Sequence, residues 1–144
     1  MTDRKDISGW IGWYGWCSEI QEESESNRIV KKTSEELVAL NYHVQASPTE
    51  GQLNLFYADP DRTAIGVSEG GMRLAPDATT VSKKDVLRRL QDAPSQFSPN
   101  VLLRPIYQDT LFPTLAYVAG PSELAYFAQL RGLYEHFGVV MPLI

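Results

Sequence analysis

The stretch "LAYVAGPSELAYFAQL" (residues 115–130) changes from one type of secondary structure to another within a single turn. Its first half belongs to an apolar run of strand length, residues 114–119. Gly120 then allows a sharp turn, and Pro121 suits the first position of a helix, where its missing N–H costs nothing. Glu123 follows in the first helical turn, where a carboxylate opposes the positive end of the helix dipole. The pattern predicts a strand that leads directly into a helix.

This predicted helix runs to about Phe137, where Gly138 ends it, and "VVMPLI" (139–144) begins another apolar strand. A strand, a helix and a second strand form a βαβ unit, whose strands are normally parallel and buried. Ligands of such sheets bind beyond the carboxyl ends of the strands, where helix N-termini present free N–H groups. The turn at Gly120-Pro121 is therefore a candidate ligand-facing edge. Because Ile144 lies within the last apolar run, we expect the chain to be part of something larger.

A polar stripe precedes this unit. Asn100, Arg104 and Gln108 recur at intervals of four, which predicts one face of a helix that begins at Ser98-Pro99. Pro105 predicts a kink or a break in that helix. The stripe is either a solvated face or a binding surface. Two amides and a guanidinium favour binding, because such groups hold anions and polar small molecules.

Two helices and a meander are predicted upstream. Thr33 and Glu36 form a capping box that opens a short helix through Leu40, which Asn41 closes in the left-handed conformation. The segments "GQLNLFYAD" and "PDRTAIGVSEGGMRLAP" predict three short antiparallel strands joined by turns. A further helix follows the meander.

That further helix spans Lys83–Asp92, with Ser82 and Asp85 at its start. The domain organisation that we predict has three parts. They are an irregular or divergent segment 1–32, a connecting insertion 33–97 and a helix-strand-helix-strand unit 98–144.

Composition limits the function. The net charge of −5 leaves no cationic excess to neutralise phosphates, which argues against a nucleic-acid partner. No apolar run is long enough to span a bilayer, and no secretion signal is recognisable, so we predict no membrane partner. A single cysteine, Cys17, fits a reducing cytoplasm and permits no internal disulfide. With only His43 and His136 in addition, a structural zinc site lacks its usual ligands, and we predict no metal site.

The segments "EGQLNLFY" and "FSPNVLLRPIYQDTLFPTLAYVAGPSELAYFAQLRGLYEHFGVVMP" resemble the bacillithiol biosynthesis cysteine-adding enzymes, the cysteine ligases of that pathway. The resemblance covers about residues 33–144 and is nearly continuous from Phe97 to Pro142, whereas residues 1–32 do not share it. It implies a fold that is α/β, part of a Rossmann-like, nucleotidyltransferase-like core with a small antiparallel β-meander insertion. It also implies a cytoplasmic enzyme that joins cysteine to glucosaminyl-malate, with ATP or ADP as the activating cofactor.

The resemblance further implies a substrate cleft, with catalytic residues left unassigned. The cleft residues that match the family's pattern are Ser98, Asn100, Arg104, Gln108, Asp109, Gly120, Pro121, Glu123 and Tyr126. Arg104 is the candidate for a carboxylate or phosphate contact, and Asn100 and Gln108 for orienting polar groups. Each of these side chains is equally open to a structural role, as a buried hydrogen bond that ties helix to sheet.

Two functions from different classes remain open. The chain lacks the family's glycine loop, its "EDHD"-type signature and its coiled coil, so it is either a fragment, inactive alone, or a stand-alone α/β module that binds a ligand or partner. In the first case, we expect the remainder of the enzyme or a second chain to pair with the open sheet edge. Cys17 has no histidine near it in sequence, and we predict that it is not a catalytic nucleophile.

Overall fold

The computed structural model describes residues 16–22, 25–58, 61–75 and 79–144. In chain order the described elements are α1 (residues 16–21), α2 (Glu25–Ala39), β1 (Gln52–Ala58), β2 (Arg62–Ser68), β3 (Gly71–Arg73), α3 (Lys83–Asp92), a 3₁₀ turn (Pro94–Gln96), β4 (Phe97–Pro99), α4 (Arg104–Leu111) and α5 (Pro121–Phe137). The predicted α/β class is confirmed.

One antiparallel sheet of four strands, in the order β3-β2-β1-β4, carries the meander that the sequence predicts. Strand β1 lies inside the sheet and buries Leu53, Leu55 and Tyr57. Asn54 is buried between the first two of these, which breaks the alternation expected of a strand with one wet face. A polar side chain at such a position needs hydrogen-bond partners inside the protein.

Helices α2 and α5 pack against each other and form the second layer. Helix α5 buries Phe127, Leu130, Leu133 and Tyr134, which belong to the same apolar core as the strands. A Cβ added at Gly132 would lie only 2.7 Å from Cγ2 of Ile29 on α2. The missing side chain therefore permits the close approach of the two helices.

Several predicted element ends are confirmed. Ser82 caps α3, and its Oγ accepts a hydrogen bond from the backbone N–H of Asp85 over 3.1 Å. Helix α5 begins at Pro121 and ends at Gly138, which has a φ of 63°. Asn41 follows α2 with a φ of 64°, the left-handed conformation that its position predicts.

The start of α2 corrects the prediction of a helix that begins at Thr33. The helix begins at Glu25 rather than at Thr33, whose hydroxyl instead donates to the carbonyl of Ile29 over 3.2 Å. Threonine uses this bond to the preceding turn within helices, so the capping-box pattern at Thr33 was misleading. The segment 1–32 is helical over 16–21 and from Glu25 onwards; its residues 1–15 and 23–24 lie outside the described residues.

A helix starting at Ser98-Pro99 is also wrong. Residues Phe97–Pro99 form β4, which pairs with β1 through Leu55↔Pro99 and Phe56↔Ser98. The chain then makes a turn over 101–103, and α4 begins at Arg104 with Pro105 in its first turn. The kink or break predicted at Pro105 belonged to a helix that does not form; Pro105 instead lies in the first turn of α4, where a proline costs no backbone hydrogen bond.

The two predicted parallel strands meet at a single point. Ala116 and Leu143 form one parallel bridge, in which Tyr117 N donates to Leu143 O over 2.7 Å and Leu143 N donates to Leu115 O over 3.1 Å. The βαβ direction is therefore right, but full strands over 114–119 and 139–144 are not formed. A parallel pair normally needs neighbouring strands and covering helices, and no strand of the described residues pairs with this bridge.

Candidate functional site

A line of polar groups joins α4 to the segment that follows it. The guanidinium of Arg104 donates from Nη1 to Oε1 of Gln108 over 3.0 Å, as side chains four apart on one helix allow. Nε2 of Gln108 in turn donates to the phenolic oxygen of Tyr117. The predicted pairing of Arg104 with Gln108 on one helical face is confirmed. Tyr117 is a member that the sequence did not single out.

Tyr126 lies on the other side of Arg104. Its hydroxyl donates to the carbonyl of Val101, and its oxygen lies within hydrogen-bonding reach of Arg104. The ring of Phe127 packs against both phenols, with ring centroids 4.9 Å from Tyr117 and 5.6 Å from Tyr126. One buried aromatic side chain therefore orients both tyrosines beside the exposed guanidinium.

The phenols of this site remain protonated at neutral pH. Burial raises the pKa of Tyr117, and the carboxylate of Asp109 raises it further, while Arg104 and Gln108 act in the opposite direction. Burial likewise raises the pKa of Tyr126. Both groups can therefore donate and accept hydrogen bonds, but neither is a ready base at neutral pH.

Asp109 lies behind this face, in the protein interior. It is 8% exposed and accepts hydrogen bonds from Thr114 Oγ1 over 2.7 Å and from Tyr134 Oη over 2.5 Å. Burial and this carboxylate together raise the pKa of Tyr134. Asp109 therefore ties α4 to α5, and its bonds point into the core rather than towards the exposed guanidinium.

The side chains of Asn100 and Ser98 make hydrogen bonds to other parts of the fold. Oδ1 of Asn100 accepts from the backbone N–H groups of Leu102 and Leu103, over 2.9 and 3.3 Å, and Nδ2 donates to Asn54 Oδ1 over 2.7 Å. Oγ of Ser98 accepts from Nε of Arg62 over 2.9 Å. Because Asn100 precedes α4 rather than lying on it, the predicted stripe of three polar residues is reduced to its last two.

The turn at Gly120-Pro121 is exposed and capped by its own chain. Oε2 of Glu123 accepts the backbone N–H of Gly120 over 3.0 Å, which closes a capping arrangement at the start of α5. Gly120 has a φ of −79° and a ψ of 170°, an extended conformation open to any residue. The turn therefore does not need a glycine, and a carboxylate already occupies the end of the helix.

A buried polar network was missed by the sequence reasoning. Glu19 is 2% exposed; its Oε1 accepts the backbone N–H of Asn54 over 2.9 Å, and its Oε2 has no hydrogen-bond partner among the described residues. Asn54 also donates to Ser26 Oγ over 2.5 Å and to Asn27 Oδ1 over 2.6 Å. The sequence signal that could have indicated this network is Asn54, an asparagine within the apolar run of β1.

Apolar hollows lie between α2 and α5. A groove of about 530 Å³ runs along the two helices, with Lys32, Glu36, Arg131 and Glu135 among its lining residues. A smaller, mainly apolar hollow of about 210 Å³ adjoins it near Pro121 and includes Tyr42 and His43. The candidate cleft residues, apart from Pro121, line neither hollow.

Two further features of the described residues concern metal ions and membranes. Within residues 16–22, 25–58, 61–75 and 79–144, no three histidine, cysteine or acidic side chains are grouped to hold a metal ion. No helix in the same part of the chain is long and apolar enough to cross a membrane. Burial raises the pKa of Cys17 to about 11, so its thiol is protonated at neutral pH, and its lack of a catalytic role stays a prediction.

Comparison with known proteins extends the resemblance. The family model for bacillithiol biosynthesis BshC, N-terminal Rossmann-like domain, matches residues 16–144. The match begins earlier than residue 33, so part of the segment that we predicted to be unlike the family belongs to the matching region. Helix α1 lies within the matched region. It contains Glu19, and its Trp16 packs against Tyr107 with ring centroids 5.4 Å apart.

Individual relatives agree with the family model, and each has the name "Putative cysteine ligase BshC". The protein of Salinibacter ruber is 50% identical over 107 residues, which cover 72% of this chain and 19% of the relative. That of Chlorobaculum tepidum is 37% identical over 131 residues, or 89% and 23%. That of Chloroherpeton thalassium is 40% identical over 119 residues, or 83% and 21%. The chain spans about a fifth of the length of these curated relatives.

Proposed function

We propose that this chain supplies part of the substrate cleft of a cysteine ligase, because it belongs to the family of the N-terminal Rossmann-like domain of bacillithiol biosynthesis BshC. The reaction joins the carboxylate of cysteine to the amino group of glucosaminyl-malate in an amide bond, in the cytoplasm. The observation that carries this proposal is the cluster formed by Arg104, Gln108, Tyr117 and Tyr126.

The chemistry of this cluster suits a substrate carboxylate. A guanidinium offers planar paired donors that match the two oxygens of a carboxylate, and a phenol can add a further donor. Cysteine and glucosaminyl-malate both carry carboxylates. Arg104 is exposed and donates from Nη1 to Gln108. The remaining N–H groups of its guanidinium are directed to solvent or to Tyr126. We assign substrate contact to Arg104 and an orienting role to Gln108.

ATP or ADP remains part of the proposal through the resemblance alone. The N-terminus of α5 does not suit a nucleotide phosphate, because the carboxylate of Glu123 already caps it. A second negative charge there would be repelled. We therefore place no nucleotide contact on this helix end and derive no step from the nucleotide.

The rest of the enzyme also has a place to bind. Beside the parallel bridge, four apolar side chains face solvent: Leu115, Val118, Val140 and Leu143 are 85%, 104%, 87% and 78% exposed. A parallel pair of this kind is normally covered on both faces and flanked by further strands. We propose that the remainder of the ligase supplies that cover, which extends the sheet.

A chimaeric enzyme tests this function. The segment of the Chlorobaculum tepidum relative that matches this chain is replaced by the chain itself, and the chimaera is expressed in a strain that lacks its own ligase. We expect bacillithiol to appear among the low-molecular-weight thiols, whereas the relative without the segment gives none. A folded chimaera that produces no bacillithiol would overturn the proposal.

A further inference from the structure

The polar line from Arg104 to Tyr117 has a fixed direction. A guanidinium has only donors, so the amide atom that faces it must be the oxygen of Gln108. The nitrogen of the same amide then faces Tyr117 and donates to it, which makes the phenolic oxygen the acceptor. The opposite orientation of the Gln108 amide is excluded, because it would place an N–H donor of the amide against the N–H donors of Arg104.

Within the described residues, the hydrogen of Tyr117 is consequently unused. Its oxygen accepts from Gln108, and no described residue accepts from its O–H. Two neighbouring tyrosines differ in this respect, since Tyr134 donates to Asp109 and Tyr126 donates to the carbonyl of Val101. Hydrogen bonds in a chain polarise one another, so a phenol that accepts from an amide bound to a guanidinium is a stronger donor.

We propose that Tyr117 is a substrate-contacting residue, whose O–H and the neighbouring Arg104 guanidinium bind the oxygens of one substrate carboxylate. The inference rests on the proposed ligase function and adds to it a residue that the sequence did not single out. Three features support it: the half-buried Tyr117 is oriented by the ring of Phe127, it lies beside an exposed cation, and its donor is free. Burial and Asp109 keep its pKa raised, so the hydrogen is present at neutral pH.

Two substitutions in the chimaera test the free donor. Tyr117→Phe removes the hydroxyl and leaves the ring on Phe127. Gln108→Glu keeps the side-chain size and the hydrogen bond from Arg104. Its carboxylate, however, accepts the hydrogen of Tyr117, so the Tyr117 O–H can no longer donate to a substrate. Tyr134→Phe is the matched control, because it removes a phenolic hydroxyl that lies outside the cluster and whose donor is already used on the buried Asp109.

We expect kcat/KM to fall about 10- to 100-fold in both test variants, as for the loss of a hydrogen bond to a charged group. Tyr134→Phe should lower the melting temperature and leave kcat/KM within about threefold. Kinetics with each substrate varied in turn identify the carboxylate: a fall confined to kcat/KM for cysteine assigns the cysteine carboxylate, and one confined to glucosaminyl-malate assigns the malyl group.

The outcomes separate this inference from its premise. An inactive parent chimaera overturns the proposed function, and this inference with it. An active chimaera whose kinetics are unchanged by Tyr117→Phe and Gln108→Glu overturns the inference alone. If Tyr117→Phe does not fold, as judged by its melting transition, Gln108→Glu decides, since it keeps both contacts of the line and reverses only the direction of the hydrogen bond to Tyr117.

Discussion

Glu19 is a buried acid of the described core, 2% exposed, with one carboxyl oxygen that has no hydrogen-bond partner among the described residues. Burial raises its pKa above the ordinary value of 4.5, against the opposing effects of Ser26, Asn54 and the charge of His136. A raised pKa means that the folded protein favours the protonated acid. This stabilising contribution is fully present below pH 4.5 and is lost as the pH rises through the raised pKa.

The first prediction concerns this carboxyl group. Glu19→Gln places a neutral amide where the protonated acid would be, so it removes the cost of ionisation. We expect the variant to gain stability over the natural chain as the pH rises above 4.5 and through the raised pKa of Glu19, and to lose that advantage below pH 4.5. Urea unfolding at several pH values measures the difference. A constant difference across the range would show that Glu19 does not titrate in the folded protein as described.

Arg104 carries the second prediction. In the chimaera, Arg104→Lys keeps the charge but loses the planar fork, so it cannot bind Gln108 and two carboxylate oxygens together. We expect kcat/KM to fall about 10- to 100-fold, equivalent to roughly 1.5–3 kcal/mol. Arg131→Lys, at an exposed pair with Glu135, is the control and should have no effect. Unchanged kinetics would assign Arg104 a structural role instead.

Side chains of the site differ in how far they were predictable. Arg104 and Gln108 follow from their spacing, because a helix of any context brings positions four apart together. Tyr117 lies in an apolar run and meets Gln108 only because the chain folds back after α4. Asn100 has the spacing of the stripe but is used as a cap and a link to Asn54, which depends on a distant strand.

Among the elements, the contact between α2 and α5 gives the third prediction. Gly132→Ala gains helix propensity, but the new Cβ would lie 2.7 Å from Cγ2 of Ile29 and 3.1 Å from Oγ1 of Thr33. The methyl on a β-branched carbon cannot swing away freely. Overpacking costs roughly 1–3 kcal/mol, and the propensity gain of about 1 kcal/mol offsets part of it, so we expect net destabilisation.

Thermal unfolding measures this effect, and a second substitution controls it. In the Ile29→Ala background the obstructing methyl is absent, so Gly132→Ala should there be neutral or stabilising. The two substitutions are therefore coupled. Equal effects of Gly132→Ala in both backgrounds would show that the helices do not approach as closely as described.

Elements with local end signals were predictable, and those defined by distant partners were not. Ser82 and Gly138 place the ends of α3 and α5 correctly because capping depends on neighbouring residues. Phe97–Pro99 carries the local signal of a helix start, yet forms a strand because β1 offers it an edge more than forty residues away in the chain. The parallel pair has strand composition, but no strand in the part of the chain that the structure describes lies beside it to complete a sheet.

At the scale of the whole molecule, the exposed apolar patch beside the bridge gives the fourth prediction. We expect the 144-residue chain alone to self-associate through Val118 and Val140, which are the most exposed members of this patch. Size-exclusion chromatography with light scattering at several concentrations measures the association. Val118→Lys combined with Val140→Lys should reduce it, whereas Leu40→Lys, at a 69% exposed residue directly after α2, should not.

A monomer with a sharp melting transition at all concentrations would contradict this prediction and favour the stand-alone module. Association abolished by Leu40→Lys would instead assign the contact to the groove between α2 and α5.

The central claim is that this chain contributes part of the substrate cleft of a cysteine ligase. Its most direct test is the steady-state rate of ligation of cysteine to glucosaminyl-malate by the purified chimaera, compared with the intact relative, the relative without the segment and the chain alone. We predict that the chimaera reaches kcat/KM within about tenfold of the intact relative and that the other two samples are inactive. A folded chimaera with no more activity than the relative without the segment, or ligation by the chain alone, would contradict the account.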